Sequence, residues 1–212
     1  MSLFVTFEGM DGSGKSTQAQ RCYEALVAVG IPVLLTKNPG GTALGSELRN
    51  ILLHTQSPIT PKAELLLYIA DRVQHLEEVV KPALTAGTVV LCDRFSDSTL
   101  AYQGYGRGLD VAWIGSLHQL AFNNVQPDVT LLFEGPVETL LARAKGRSEA
   151  DRLEREAVDF YERIASGFNT LAAQYPNRIQ RLDATLPLET LHEQVVSTVM
   201  ARLKQPVAQG WA

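Results

Sequence analysis

A short stretch near the start of the chain combines glycines with a lysine, a serine and a threonine. It matches the pattern G-x-x-x-x-G-K-[ST] in full and lies between an apolar segment and an amphipathic one. Glycines let successive backbone N–H groups turn toward phosphate oxygens, and the start of the following helix adds the positive end of its dipole. The stretch therefore predicts a site for the triphosphate of a nucleotide, and its residues are Gly9, Met10, Asp11, Gly12, Ser13, Gly14, Lys15, Ser16 and Thr17.

Distinct roles are expected for the side chains around this loop. Lys15 should reach the β- and γ-phosphates, the Ser16 hydroxyl should be a ligand of Mg²⁺, and Thr17 should approach the α-phosphate. Asp93 ends an apolar segment, which is where the second magnesium ligand of such sites lies. Arg94 follows directly, and an arginine there is suited to bidentate capture of a second phosphate. An ion pair at the end of a strand is the alternative explanation for Asp93 and Arg94.

The elements that must position these residues alternate along the chain. The predicted strands are Leu3–Glu8, Ile31–Thr36, Thr88–Asp93, Val129–Glu134 and Arg178–Asp183. The predicted helices are Lys15–Val29, Leu44–His54, Pro61–Leu84, Asp110–Asn123, Val137–Lys145, Asp151–Gln174 and Leu188–Lys204. Nearly continuous apolar strands favour a parallel sheet covered on both faces, so we predict an α/β doubly wound fold. No linker rich in Gly, Ser or Pro interrupts the alternation, and we expect one domain over residues 1–212.

The composition is that of an ordinary globular protein. Apolar residues make up 45% of the 212 residues, charged residues make up 20%, and the net charge is -4, which argues against a surface that binds nucleic acid. No apolar run approaches the roughly 18 residues of a membrane span, and no signal peptide is visible, so we expect a cytoplasmic protein. Cys22 and Cys92 lack a CxxC or histidine partner, and we predict buried free thiols.

Several segments together resemble bacterial thymidylate kinases, and the similarity extends over nearly the whole chain. The most specific is the run AYQG-x-GRG after an Asp-Arg pair, whereas the GxPGxGKGT loop of adenylate kinases and the NKxD motif of GTPases are absent. The segments that carry the resemblance are FEGMDGSGKST (Phe7–Thr17), NPGGT (Asn38–Thr42), ELLLYIADRVQH (Glu64–His75), LCDRFSDSTLAYQGYGRGL (Leu91–Leu109), PDVTLLFE (Pro127–Glu134) and DRLERE (Asp151–Glu156). The resemblance implies a nucleoside monophosphate kinase fold with a five-stranded parallel sheet and a small lid. It also implies ATP on the glycine-rich loop, dTMP in a facing cleft, and a homodimer.

The same resemblance assigns expected roles in binding dTMP. Tyr68 falls where an aromatic ring stacks on thymine, and Arg72, one helical turn later, falls where an arginine binds the thymine carbonyl. Arg94 corresponds to the arginine that grips the dTMP phosphate, and Asp11 to a carboxylate near the deoxyribose 3′-hydroxyl and that phosphate. Residues of the segment that closes over base and sugar are Ser98, Thr99, Tyr102 and Gln103. From the residues alone, Tyr68 could equally be a core aromatic, Arg72 a surface ion pair, and Gln103 a turn cap.

Two positions depart from the pattern of many relatives, which read T-R-E-P-G-G-T after the second strand. Lys37 keeps a positive charge for a phosphate contact but lacks the planar fork of arginine. Asn38 replaces a carboxylate, which weakens the argument for a metal-linked acid at this position.

The segment Ala142–Arg152, which reads ARAKGRSEADR, has the composition of a mobile loop, and the resemblance makes it the lid. Family members place a catalytic arginine either in the glycine-rich loop or in the lid, and here the loop contains none. We therefore expect Arg143 to contact ATP and Arg147, followed by Arg152, to stabilise the transferred phosphoryl group. A solvated basic loop is the alternative for each of them.

Other functions remain open at this point. The first alternative is another nucleoside monophosphate kinase or a deoxynucleoside kinase, although Arg94 favours an acceptor that already carries a phosphate. An ATPase or GTPase switch is a second, and the missing NKxD motif counts against it. A nucleotide sensor without activity is a third, and the intact Lys15, Ser16 and Asp93 count against that.

Overall fold

The computed structural model describes residues 2–123, 125–145, 152–153 and 156–205. A five-stranded, fully parallel sheet with the order β2-β3-β1-β4-β5 lies between layers of helices, as predicted. The strands are β1 (Leu3–Gly9), β2 (Val33–Lys37), β3 (Val89–Asp93), β4 (Val129–Glu134) and β5 (Ile179–Asp183). Strands β1, β3 and β4 are almost entirely buried, which explains the nearly continuous apolar sequence of these segments.

The helical elements agree with the sequence pattern, with two exceptions. They are α1 (Lys15–Ala28), α2 (Ala43–His54), α3 (Pro61–His75), a π-helical segment (Leu76–Val80), α4 (Lys81–Thr85), α5 (Ser96–Thr99), a second π-helical segment (Leu100–Gly106), α6 (Val111–Phe122), α7 (Val137–Lys145), α8 (Val158–Gln174) and α9 (Leu188–Leu203). The sequence predicts α3, the first π-helical segment and α4 as one helix, and they do follow one another without a gap.

The first exception is the helical stretch from α5 through the second π-helical segment, which the sequence pattern does not predict. It lacks a regular apolar stripe because both its polar and its apolar side chains are buried. Phe95, just before it, packs against Phe4 at 5.1 Å and Phe122 at 5.8 Å between ring centroids. Burial of such a ring contributes about 2 kcal/mol, so this anchor holds the start of the stretch against the sheet.

The second exception is the start of α8, which lies at Val158 rather than at the predicted Asp151. Arg152 and Leu153 form a turn that is held by contacts outside the helix. The Arg152 backbone N–H donates to the Leu53 carbonyl at 3.1 Å, and the Tyr161 hydroxyl donates to the Leu153 carbonyl at 2.8 Å. These tertiary hydrogen bonds replace the ones that an earlier helix start would supply.

The strand register brings the chemical residues to one edge of the sheet. Asp93 is the register partner of Phe7 in β1 and of Lys37 in β2, and Gly9 pairs with Phe133 in β4. The carboxyl ends of the strands therefore meet where the glycine-rich loop begins, which is where open parallel sheets bind ligands.

Cys22 and Cys92 are both free and buried, as predicted. Among the described residues, the helices are too short or too polar to cross a membrane.

Candidate active site

Three glycines of the glycine-rich loop have positive φ, and at two of them, Gly9 and Gly12, a side chain would also clash with neighbouring backbone. Gly9 has φ of 136°, and Gly12 has φ of 83°. A Cβ atom on Gly12 would lie 1.9 Å from the Leu140 carbonyl oxygen of α7. The loop therefore packs directly against α7, and any side chain at position 12 would push the loop and this helix apart.

Lys15 begins α1 directly behind this loop and is almost completely buried. Its ammonium group has two long contacts, to Asp11 Oδ1 at 3.3 Å and to the Met10 carbonyl at 3.5 Å. Such long contacts are weak, so the charge remains available to an anion placed on the loop.

Ser16 and Asp93 meet at the other side of the loop. The Ser16 hydroxyl donates to Asp93 Oδ2 at 2.5 Å, while Asp93 Oδ1 is buried and has no hydrogen-bond partner in the part of the chain that the structure describes. Lys37 lines the adjoining cavity of about 350 Å³ together with both residues. A hydroxyl and an unsatisfied carboxylate oxygen are hard ligands of the kind that Mg²⁺ prefers, so the site fits that ion.

Arg94 connects the glycine-rich loop to the helical stretch that follows β3. Its NH1 donates to the Gly9 carbonyl at 2.9 Å and to Ser98 Oγ at 3.0 Å. Its NH2 donates to Asp11 Oδ1 at 2.7 Å and to the Tyr102 hydroxyl at 3.2 Å. A φ of 69° places Arg94 in the left-handed region, which a non-glycine residue adopts only where the surroundings hold it.

The electrostatics of this pair follow from its burial. Burial alone would raise the pKa of Asp11, but Arg94 and Lys15 hold that pKa well below its usual value. Burial alone would lower the pKa of Arg94, but Asp11 raises it well above its usual value. Both side chains are therefore charged at neutral pH, and they form an ion pair across the site.

Glu8 holds Ser98, one of the acceptors of Arg94, and was not identified by the sequence analysis. It is fully buried and accepts hydrogen bonds from the Phe95 backbone N–H at 2.6 Å and from Ser98 Oγ at 2.5 Å. Burial, and then the charge of Asp97, raises the pKa of Glu8. The signal available in the sequence was a carboxylate at the end of an otherwise apolar strand.

A cavity opens beside Arg94 and is separate from the one beside Asp93. Most of the predicted dTMP-binding residues lie in its wall, together with residues that the sequence did not single out: Asp11, Asn38, Pro39, Arg49, Leu53, Tyr68, Arg72, Arg94, Ser98, Tyr102, Gln103 and Leu153. Two predicted residues lie elsewhere. Thr99 is fully buried behind the wall, and Lys37 lines the neighbouring cavity.

Arg72 is 2% exposed, which excludes the surface ion pair considered from the sequence. Its Nε and NH1 atoms have no partner among the described residues, and its guanidinium lies 5.7 Å from the centroid of the Tyr68 ring. A buried guanidinium with unused donors is destabilising by itself. Arg72 is therefore suited to bind an oxygen of a ligand that enters this cavity.

Asn38 belongs to a buried polar network that the sequence reasoning also missed. Its Nδ2 donates to Asp71 Oδ2 at 2.8 Å and lies 3.0 Å from His75 Nδ1, and Thr36 Oγ1 lies 2.7 Å from His75 Nε2. Burial lowers the pKa of His75 to about 4, so the ring is neutral and can accept at Nδ1. A carboxylate at position 38 would place a second acid beside Asp71 and would lack the Nδ2 donor, which gives a physical reason for the asparagine here.

The predicted lid arginines are found in different surroundings. Arg143, on α7, donates from NH1 to the Ala184 carbonyl at 2.7 Å. Arg152 donates from NH2 to Glu64 Oε2 at 2.5 Å and from Nε to the Leu52 carbonyl at 2.8 Å. Arg147, the first choice for a lid charge, lies outside the described residues. The roles of all three in phosphoryl transfer stay predictions.

Comparison with known proteins agrees with this geometry. The family model described as thymidylate kinase matches residues 7–195. A thymidylate kinase from a Synechococcus species is 53% identical over 182 residues, which cover 86% of each chain, and one from an Exiguobacterium species is 45% identical over 204 residues, which cover 96% of each chain. The crystal structure of thymidylate kinase from Ehrlichia chaffeensis superposes with a TM-score of 0.77 at 35% identity, over 94% of this chain and 98% of that one. The chain therefore belongs to the thymidylate kinase family, a family of nucleoside monophosphate kinases.

Proposed function

We propose that this chain transfers the γ-phosphoryl group of ATP to dTMP, giving ADP and dTDP, with ATP on the glycine-rich loop and dTMP in the cavity beside Arg94. The observation that carries the proposal is the position of Arg94, whose guanidinium contacts Asp11 and Gly9 of the loop and Ser98 and Tyr102 of the cavity wall. One cation thus lies between the two sites, where the transferred group must pass.

Phosphoryl transfer requires alignment of two anions more than covalent participation by the protein. Lys15 neutralises charge on the donor side, and Arg94 does so on the acceptor side. Tyr68 and Arg72 hold the base, so that the acceptor phosphate is presented to Arg94. Arg94 and Lys15 keep Asp11 ionised, so in this proposal its carboxylate accepts a hydrogen bond from the sugar hydroxyl.

Ser16 and Asp93 are the residues that would hold Mg²⁺. The support is the buried, unpartnered Asp93 Oδ1 beside the Ser16 hydroxyl. When bound, the ion neutralises charge on the phosphates and helps to orient them.

An assay of ADP formation with Mg-ATP tests the activity. The protein is incubated separately with dTMP, dUMP, dCMP, dGMP, AMP or thymidine, and we expect strong stimulation by dTMP. Equal ADP formation without any acceptor would instead indicate an ATPase, and stimulation by thymidine rather than dTMP would indicate a nucleoside kinase.

Arg147→Ala is expected to lower kcat at least about tenfold while the Kd for dTMP stays nearly unchanged, because a lid arginine acts on the transferred group rather than on the acceptor base. Steady-state kinetics and calorimetric titration of dTMP measure the two quantities. Arg21→Ala, which removes a surface pair with Glu189, is the control for loss of a positive charge. A kcat like that of the wild type would assign the lid charge to another residue.

We further propose that the chain forms a homodimer through α3 and α6. Large apolar side chains on these helices are exposed, namely Leu66 at 52%, Trp113 at 37% and Leu120 at 79%. The helices pack side by side, with Lys62 Nζ 5.9 Å from the Trp113 ring, so the apolar side chains share one face.

Leu120→Glu is expected to shift the dimer to monomer, since it places a charge in the middle of that face. Sedimentation velocity over a range of concentrations measures the change. Leu188→Glu, at another exposed leucine on α9, should leave the dimer intact. A wild-type chain that sediments as a monomer at all concentrations would contradict the proposal.

A further inference from the structure

Glu64 is a fully buried carboxylate on α3, just outside the cavity that we assign to dTMP. Three side chains from other parts of the chain donate to it. Gln103 Nε2 lies 2.9 Å from Oε1, Arg107 Nε and NH2 lie 3.2 Å from Oε1 and Oε2, and Arg152 NH2 lies 2.5 Å from Oε2. Of these donors, Gln103 is the one that lines the cavity.

The charge state of Glu64 decides what it can do to its neighbours. Burial alone would raise the pKa of Glu64, but the hydrogen bonds from Arg107, Gln103 and Arg152 hold it below its usual value. Glu64 is therefore ionised at neutral pH and acts only as an acceptor of hydrogen bonds.

An acceptor at this position fixes the orientation of the Gln103 amide. A carboxylate repels the Oε1 carbonyl of a glutamine and attracts its Nε2 group, so the two ends of the amide cannot exchange places. With Nε2 turned to Glu64, the carbonyl oxygen is the end of the amide that remains for a ligand in the cavity.

Two polar groups in the wall of this cavity then form a defined pattern. Arg72 offers hydrogen-bond donors that have no partner among the described residues, and Gln103 offers an acceptor. Thymine carries a carbonyl oxygen beside a ring N–H, which matches a donor beside an acceptor. Cytosine carries an amino group beside an unprotonated ring nitrogen, which reverses both.

We propose that Glu64 is a positioning residue for base selection, which holds the Gln103 carbonyl toward the acceptor base and thereby favours a pyrimidine with a ring N–H over cytosine. This inference rests on the proposed function, because it requires dTMP in the cavity beside Arg94. Glu64 does not touch the base; it acts through Gln103.

The test compares the binding of dTMP and dCMP by isothermal titration calorimetry in the wild type and in Glu64→Gln. A glutamine at position 64 can either donate or accept, so Gln103 becomes free to turn over. We expect the ratio of the Kd for dCMP to the Kd for dTMP to fall at least about tenfold, because dTMP should bind more weakly and dCMP more tightly. In sites that recognise a ligand through hydrogen bonds, such ratios arise because the wrong ligand leaves buried polar groups unpaired. A variant that is damaged only in its structure would bind both nucleotides more weakly and keep the ratio.

Two further variants separate this role from general stabilisation. Glu156→Gln removes another carboxylate partner of Arg107, 2.5 Å from its NH1, and leaves the bond between Glu64 and Gln103 in place. It should keep the wild-type ratio. Glu64→Asp keeps a charge for Arg107 and Arg152 but withdraws the carboxylate from Gln103, so the ratio should fall in this variant too, even if Glu64→Gln does not fold.

Gln103→Met completes a double-mutant cycle. Once the amide is gone, Glu64→Gln should change the ratio no further. An unchanged ratio in Glu64→Gln, or an equal fall in the Gln103→Met background, would overturn the inference while the wild type still phosphorylates dTMP. A wild type that binds dTMP no better than dCMP and does not phosphorylate it would instead overturn the proposed function.

Discussion

Lys15→Ala should lower kcat by about a thousandfold, the effect expected when a preorganised charge on the transferred group is removed from a water-excluded site. The Lys15 ammonium is almost completely buried and makes only long contacts, to Asp11 at 3.3 Å and to the Met10 carbonyl at 3.5 Å. It is thus held in place by packing rather than by a strong ion pair. The loss should appear mainly in kcat, because the charge that develops during transfer is stabilised more than the bound ground state.

Single-turnover and steady-state measurements with saturating ATP and dTMP separate this effect from weaker binding. Asp11 keeps its 2.7 Å contact with Arg94 when Lys15 is lost, so the acceptor site stays intact and the Kd for dTMP should change by less than about threefold. Lys81→Ala, which removes a surface pair with Glu77, is the matched control and should retain wild-type kcat. A Lys15→Ala variant within tenfold of the wild-type kcat would contradict the assignment of the loop as the ATP site.

The fold could be predicted almost completely from the sequence because the three central strands, β1, β3 and β4, are buried on both faces and therefore have nearly continuous apolar sequences. β4 was predicted with its observed bounds, and the ends of the other strands differ from the prediction by one residue or, at the start of β2, by two. The segment from Ser96 to Gly106 was missed because its helical shape depends on tertiary partners. Glu8 accepts hydrogen bonds from Ser98 in this segment and from Phe95 directly before it, and a local sequence pattern does not reveal such long-range contacts.

The candidate site was predictable to the extent that its residues bear motifs. Asp11, Tyr68, Arg72 and Arg94 were singled out in the sequence and do line one cavity, although their roles in binding remain to be tested. The roles of Glu64 and Asp71, the buried carboxylates that orient two amides in the wall of this cavity, were not predicted.

Glu64 and Asp71 stand on a helix among other polar residues, and from the sequence each resembles a solvated side chain. Only the packing of α3 against its neighbours shows that Glu64 and Asp71 are both fully buried and that each is satisfied by groups from other elements. A buried carboxylate without hydrogen-bond donors would be strongly destabilising. The side chains that donate to it are therefore held in one orientation. In this chain, Glu64 orients Gln103 and Asp71 orients Asn38, and both amides line the cavity beside Arg94. Glu64 and Asp71, which do not line the cavity, thus decide which atoms of the two amides are available to a ligand in it.

Arg94→Lys should lower kcat/KM for dTMP by about a thousandfold, although it keeps the positive charge. The guanidinium uses two nitrogens to reach four oxygen acceptors on both sides of the site, and a single ammonium cannot span them. A lysine that does not reach Asp11 leaves this carboxylate without its 2.7 Å partner, and loss of one partner of a buried charge pair typically costs about 2–5 kcal/mol. Because Arg94 also bridges donor and acceptor, kcat should fall together with a rise in KM.

The matched control is Arg21→Lys, which makes the same replacement at a bidentate pair with Glu189 on the surface, with contacts of 2.8 and 2.6 Å. It should leave kcat/KM within about twofold of the wild type, since exposed pairs contribute little. Steady-state kinetics at several dTMP concentrations give kcat and KM separately for both variants. If Arg94→Lys changed only KM, Arg94 would bind the acceptor without stabilising the transfer, and the role of bridging the two phosphates would have to be given up. If it changed neither kcat nor KM, dTMP would lie in a different cavity. A phosphate bound between Arg94 and the glycine-rich loop would be held less well by the single ammonium of a lysine than by a guanidinium.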